Sequence, residues 1–216
     1  MQPFIHPMMG RGGAGIVPAV TTWDPVNKGA GIVLTGSNLI CSDSSAGNFE
    51  NVQTSTQKSS GKLYLEVTNV LTQSQAGGVP GIGFVIPSFN LNTFLTSGGG
   101  GYDVLTYGQA RDDSNASVSV SYPVWNTAGD ILQVAVDLGA RKWWVKKVGG
   151  ASWNDGVGSP DPATGVNGLP MGANPGAAGV PVVLAGMPYS NAIKFAINCG
   201  QSAFAGAVPS GYGQWG

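Results

Sequence analysis

The sequence predicts an all-β protein: an antiparallel β-sandwich of two sheets, preceded by an extended N-terminal arm. Three observations carry that prediction. From Trp23 onward, short apolar runs alternate with polar residues at roughly even spacing, the period-2 pattern of half-buried strands. Helical periodicity is nowhere sustained. Glycine and proline, 35 and 14 of 216 residues, punctuate the runs as turns. That content borders on low complexity. Yet 42% of residues are hydrophobic and six are tryptophan, whereas a disordered chain is poor in aromatics and rich in charge. Even spacing and the lack of a second core pattern make residues 21–216 one domain.

Residues 1–20 carry Pro3, Pro7 and Pro18 with four glycines between them and no hydrophobic period, so they form the arm. Phe4, Ile5, Met8 and Met9 are more apolar than a solvated linker requires. The segment is either a frayed terminus or an arm that orders against a neighbouring subunit, and we take these four residues as its docking contacts. His6, the only histidine, has no ligand-type neighbours and is assigned no role. Next come short runs at 31–34 and 38–41 around the turn Thr35-Gly36-Ser37, then a polar strand over 49–57. In the strand 62–67, Leu63, Leu65 and Val67 alternate with Lys62, Tyr64 and Glu66. The glycines of Gly81-Ile82-Gly83 predict close backbone approach. Residues 87–115 read as a loop with Gly98–Gly101 as its flexible centre, and 117–124 as a strand.

The stretch 129–150 is the clearest hairpin. Leu132, Val134, Val136 and Leu138 share a face, Gly139-Ala140-Arg141 turns the chain, and Lys142–Val148 returns. Trp143 and Trp144 are adjacent in one strand, so they point to opposite faces of their sheet. One joins the core; the other faces outward or lies under a loop. Residues 150–179 are a Gly/Pro/Asn-rich surface excursion. The runs 180–184 and 192–198 and the Phe204 region supply the last strands.

Several function classes are disfavoured by composition. Charged residues make up 10% of the chain and the net charge is −1, so no field attracts nucleic acid or an anionic membrane. A weakly charged surface also resists self-association poorly, which predicts a homo-oligomer or a subunit of a larger assembly. No apolar run is long enough to span a membrane, and the N-terminus lacks the order of a signal peptide. Cys41 and Cys199 lie in strand-like runs and are expected as buried free thiols, with a disulfide between them as the alternative.

Residues at several strands resemble one family. Gly61-Lys62-Leu63-Tyr64-Leu65-Glu66-Val67 is similar to the G-x-x-Y-x-E-V strand of SPRY domains, and Gly81-Ile82-Gly83 to their G-x-G strand. Gly129-Asp130 opens an I-x-V-x-V-D-L segment like their most recognisable one. Asn198-Cys199-Gly200 with Phe204, followed by Pro209-Ser210-Gly211-Tyr212, resembles the closing N-F-G-x-x-x-F and P-x-G-Y. The resemblance runs in family order from Trp23 to Trp215, departing at Cys199 and at Val148-Gly149. Thr21–Pro25, Asn27–Gly29, Ser59–Lys62 and Gly158–Gly165 look most like SPRY domains of tailed-bacteriophage virion proteins. The resemblance implies a concanavalin-like sandwich, non-enzymatic, whose end loops bind a partner. It implies a virion location after assembly in the host cytoplasm, with capsid or tail subunits as partners and the arm docking on the particle. Two tasks follow: recognition of a host-surface glycan or protein, or, as the alternative, decoration that cements neighbouring subunits.

Chemistry in the sequence favours binding over catalysis. A glycosidase needs two carboxylates about 5–10 Å apart, and the chain has only two glutamates, Glu50 and Glu66. Glu66 is expected to be a satisfied structural carboxylate. Asp112-Asp113-Ser114-Asn115 is either a turn or a calcium loop. No histidine triad, zinc set or cofactor motif is present, so catalytic, metal and cofactor residues are assigned as none. The candidate partner-binding residues are Trp144, Trp153, Asn154, Asp155, Tyr102, Tyr107 and Trp125, an aromatic-and-amide set in or beside the two long loops. Arg141, Lys142, Lys146 and Lys147 read as a solvated basic face.

Overall fold

The computed structural model describes residues 20–45, 48–71, 79–98, 100–156 and 158–216. The docking contacts expected at Phe4, Ile5, Met8 and Met9, and His6 with them, lie outside the described residues. Fifteen strands follow in chain order: β1 (Trp23–Lys28), β2 (Ile32–Thr35), β3 (Ile40–Asp43), β4 (Val52–Thr54), β5 (Lys62–Leu71), β6 (Gly81–Val85), β7 (Asp103–Leu105), β8 (Tyr107–Arg111), β9 (Ser117–Val124), β10 (Ile131–Asp137), β11 (Lys142–Lys147), β12 (Leu169–Pro170), β13 (Val183–Met187), β14 (Lys194–Asn198) and β15 (Gly213–Gln214). They form two sheets, ordered β1-β4-β13-β6-β7-β8-β9 and β12-β11-β10-β5-β14-β3-β2. All pairings are antiparallel except β15, which lies parallel to β5 at Leu63 and Tyr64, just beyond the stretch of β5 that β14 pairs.

Alternation along the central strands builds the core. Leu65 and Val67 of β5, Leu132, Val134 and Val136 of β10, and Trp143 and Val145 of β11 face the first sheet, where Ile82, Phe84, Val104 and Leu184 meet them. Trp23 and Trp215, near opposite ends of the described chain, are both fully buried in this layer. The turn between β2 and β3 holds Ser37 and Asn38 at φ +57° and +64°, as a tight hairpin requires. The close approach predicted at β6 is present: a β-carbon on Gly81 would stand 2.7 Å from the Val104 carbonyl oxygen.

Each sheet also has a covered outer face. Val85, Val183, Ala185 and Met187 of the first sheet are capped by Phe89 and Leu95 from the segment after β6. Tyr64, Ala135 and Trp144 of the second are capped by Trp153, Phe204 and Tyr212. Sheet faces that would meet solvent in a bare sandwich are therefore roofed by non-strand chain.

Four expectations are corrected. Residues 87–115 are not all loop, since β7 and β8 lie within them. Asp103 breaks the apolar pattern there, but it is buried and paired with Arg111, and the Arg111 guanidinium lies over Phe94 at 4.8 Å. Gly100 and Gly101 are packed, not loose: Gly100 donates to the Ser97 carbonyl at 2.8 Å, and Gly101 sits against the Met171 carbonyl. The polar strand expected over 49–57 shortens to the three residues of β4. Finally, Phe204 lies outside any strand and meets the Tyr64 ring edge-on at 4.8 Å.

Both cysteines are buried free thiols. Cys41 pairs across the ladder with Phe195, and Cys199 is four residues further along. At about 3.3 Å per residue the two are too far apart for a disulfide, which needs Cα atoms within about 7 Å.

Candidate functional site

The outer face of the second sheet positions the strongest candidate site. Trp144 faces outward from β11, as alternation demands, but the excursion after residue 150 folds back over it. Its Nε1 donates to the Val166 carbonyl at 2.8 Å, and Gly168 passes so close that a β-carbon there would lie 2.6 Å from the indole. Trp144 is 0% exposed. Its expected ligand role is corrected: the indole is the surface on which the excursion is built, and Trp143 is buried in the core on the opposite face.

The excursion is anchored by a 3-10 turn, Trp153–Gly156. Asn154 sits in the left-handed region at φ +43°, a conformation asparagine tolerates better than most residues. Its buried amide donates to the Asn167 carbonyl at 3.1 Å and accepts from the Val145 amide at 2.9 Å. Asn154 is thus a clamp, not the ligand contact that was expected. Asp155 is exposed beside it. Trp153 is half-buried, packed on the Tyr64–Trp144 cluster with part of its ring open.

Trp153 forms a wall shared by two adjoining clefts. One, of about 480 Å³, is lined by Gln133, Lys146, Trp153, Asp161, Ala205 and Val208 among others. The other, of about 510 Å³, includes Ser152, Trp153, Ser159, Asp161 and Thr164. Asp161 spans both. Its Oδ1 accepts from the Ala163 amide and its Oδ2 from the Thr164 hydroxyl, each at 2.9 Å. Tyr212 closes the roof nearby, donating its hydroxyl to the Pro162 carbonyl at 3.1 Å. Burial, with Asp137 and Asp161 adding to it, raises the Tyr212 phenol and keeps it a neutral donor. The volumes fall within the range of about 300–1,000 Å³ typical of ligand sites. An open aromatic face flanked by an amide, an ammonium and a carboxylate can stack on a ring and hydrogen-bond its edges.

The remaining aromatic candidates do not join this groove. Trp125 is 0% exposed. It stacks on Phe195 at 5.1 Å and donates to the Leu105 carbonyl at 3.2 Å, so its ligand role is also corrected: it is core. Tyr102 and Tyr107 are half-buried beside and in the first sheet, where the Tyr107 hydroxyl donates to Gln109 at 3.1 Å.

Two polar side chains shape the roof from below. Glu66 accepts from the Tyr64 hydroxyl at 2.9 Å and from the Ala205 and Gly206 amides at 3.0 and 2.7 Å. It is the satisfied structural carboxylate expected of it, and it fixes the C-terminal segment over the sheet. Arg141 departs from the solvated basic face. In the left-handed region at φ +52°, it donates to the carbonyls of Ser59, Pro175 and Val180 at 2.9–3.2 Å. Lys147 pairs with Asp130 at 2.8 Å and Lys62 with Asp137 at 3.6 Å. The Asp112 loop is a turn: Asp112 Oδ1 accepts from Ser114 and Ala116, which holds its carboxyl below the usual range.

Against known proteins, no protein-family model matches the chain, and no curated protein does. Solved structures do. The SPRY domain of human HERC1 aligns over 84% of this chain and 99% of its own, at 17% identity and a TM-score of 0.58. The TRIM65 PSpry domain aligns over 82% and 91%, at 14% identity and 0.51. Stonustoxin aligns over 82% of this chain but 27% of its own length, at 14% identity and 0.55. At such identities the likeness is one of fold. The fold of this chain is therefore a two-sheet antiparallel sandwich like that of SPRY domains.

Proposed function

We propose that this protein is a non-enzymatic binding module that recognises its partner through the groove around Trp153, on the outer face of the second sheet. One observation carries the reading: a half-buried tryptophan, held by a clamped turn, is shared by two adjoining clefts that also present Gln133, Lys146 and Asp161. Interfaces and sugar sites both concentrate energy on such an anchor. The SPRY-type fold supports a protein-interaction role in general. Placement on a tailed-phage particle, with a host-surface glycan or protein as partner, draws its support from the loop sequences at 21–29, 59–62 and 158–165.

The test is direct binding of the purified full chain to host cells and their extracted surface polysaccharide, in parallel with a Trp153→Ala variant. We expect saturable binding that falls at least tenfold in the variant while its Tm stays within a few degrees. Unchanged binding in the variant would move the site elsewhere; no binding to the host surface, with normal adsorption of particles lacking the protein, would remove the recognition reading. The decoration reading has its own support in a surface of few charges with exposed Val26 and Val33, at 83% and 44% exposure. It predicts many copies per particle and fragile particles in their absence.

A further inference from the structure

The groove around Trp153 has a polar floor as well as an aromatic wall. Gln133 of β10 stands in register between Lys146 of β11 and Glu66 of β5, so the three side chains form one row on the outer face of the second sheet. Glu66 is filled by the Tyr64 hydroxyl and two backbone amides. Gln133 is not. It is 4% exposed, and one end of its carboxamide meets the Tyr64 hydroxyl at 3.2 Å. Gln133 lines the larger sheet-side cleft, and the other end of its amide has no hydrogen-bond partner among the described residues. Gly206 passes directly over the amide, where a β-carbon would collide with Cδ, so the side chain cannot swing away. A carboxamide this buried needs a partner for its second end, and the cleft is where one can enter.

The surroundings of the amide set the chemistry of that partner. Lys146 forms no ion pair among the described residues, and Asp161 lines the same cleft. Their charges balance, and the Glu66 carboxylate lies alongside, so no excess positive charge awaits an anionic ligand. Each Asp161 oxygen accepts one bond within its own turn and can accept another. No strand edge is open to an extended peptide, which would need a row of backbone partners. β10 is paired on both sides. On the outer side of β11, the Val145 amide donates to Asn154 and the Lys147 carbonyl accepts from Gly150. Trp153 is the one aromatic ring among the described lining residues, which gives a single stacking surface.

We propose that this groove binds a neutral hexopyranose unit of a glycan. The inference rests on the groove reading above and names its ligand class. The C–H face of the sugar ring stacks on Trp153, and one hydroxyl meets the free end of Gln133. Neighbouring hydroxyls accept from Lys146 and donate to Asp161. A hydroxyl both donates and accepts, so it matches the Gln133 amide whichever end, oxygen or nitrogen, faces the cleft. Gln133 is the specificity-determining contact, because burial fixes it in place and a ligand without the hydroxyl leaves it unpaired.

The experiment is saturation-transfer NMR on the full chain with the methyl glycosides of glucose, galactose, mannose and N-acetylglucosamine, beside glucuronate. The same variants are compared in the host-cell binding assay. At least one neutral glycoside is expected to take up saturation and to lose it in Trp153→Ala. It should bind about tenfold more weakly in Gln133→Met, which keeps the side-chain volume and drops the amide. Added salt should leave the signal unchanged. Three results overturn the sugar class while the groove reading stands: a glucuronate signal equal to or above the neutral ones, loss of signal in high salt, or no transfer to any neutral glycoside while Trp153→Ala still weakens host-cell binding. Undiminished host-cell binding by Trp153→Ala removes the groove reading and this inference with it. Should Gln133→Met unfold, Lys146→Met at a half-buried position supplies the same readout, and undiminished sugar binding in the folded variant overturns the assigned contacts.

Discussion

Arg141 carries out two tasks that normally belong to different residues. Its backbone takes the positive φ that closes the β10–β11 turn, and its guanidinium gathers three carbonyls from segments up to 82 positions away in the chain. Removing it leaves those carbonyls, the buried one of Pro175 above all, short of a donor. With charge-assisted bonds worth about 1.5–3 kcal/mol, we expect Arg141→Ala to lose about 2–3 kcal/mol in urea unfolding. Arg141→Lys should recover little, because an ammonium on a single stem cannot reproduce the fork. Gly168 is the complementary case: Gly168→Ala drives a methyl into the Trp144 indole, and overpacking of this kind costs about 1–3 kcal/mol. Sequence reading found the alternation that sets Trp143 and Trp144 on opposite faces, and it found Glu66 as a structural acid. It did not find Arg141 as a tether or Asn154 as a clamp. Both depend on carbonyls brought close by tertiary folding, and a carbonyl is the same in every residue.

At the scale of elements, the most informative feature is the roof. Strands with good period-2 patterns, such as β5, β10 and β11, were legible because one burial rule governs each face. β7 and β8 were not, since Asp103 and the glycine and glutamine of 107–111 follow an ion pair and a backbone approach instead of apolar alternation. The roof segments carry little pattern at all: 150–168 and 204–212 are turns whose aromatic residues reach the sheet singly. Trp215, just after β15, shows what such single anchors are worth. It is fully buried, lies 5.7 Å from Phe84 and donates to the Thr56 carbonyl at 3.3 Å. Trp215→Ala should therefore cost about 3–5 kcal/mol. Replacing residues 150–168 by a short linker should uncover Trp144, seen as a red shift of tryptophan emission, and abolish binding in the groove with the inner core intact.

For the whole molecule, burial of neutral ionisable groups sets a limit at high pH. Burial pushes the Cys199 thiol up to about 12, only partly opposed by Lys58, and the Tyr122 phenol up to about 12, with Tyr102 adding to it. Cys41, Tyr64 and Tyr212 are raised in the same sense, burial leading in each. In the unfolded chain these thiols and phenols ionise near their ordinary 9.0 and 10.0. Above those values the folded state holds more protons, so stability falls as pH rises. Unfolding free energy, measured by urea titration across pH, should lose no stability to these groups up to about pH 9 and then decline through about pH 12. A curve that stays level to pH 12 would show that these groups are not shielded as the burial pattern requires.

Thr56 is where the two ends of the described chain meet. Thr21 donates its hydroxyl to the Thr56 hydroxyl at 2.8 Å, and the Trp215 indole takes the carbonyl of the same residue. Residues 21 and 215, separated by nearly the whole sequence, are thus held at one spot, both buried. Domains with adjoining ends commonly accept circular permutation. Bridging Gly216 to Val20 with a few glycines and opening the chain at the exposed Gly149–Gly150 tip should leave every strand pairing in place. In this sandwich the path the chain takes is separable from the architecture it builds.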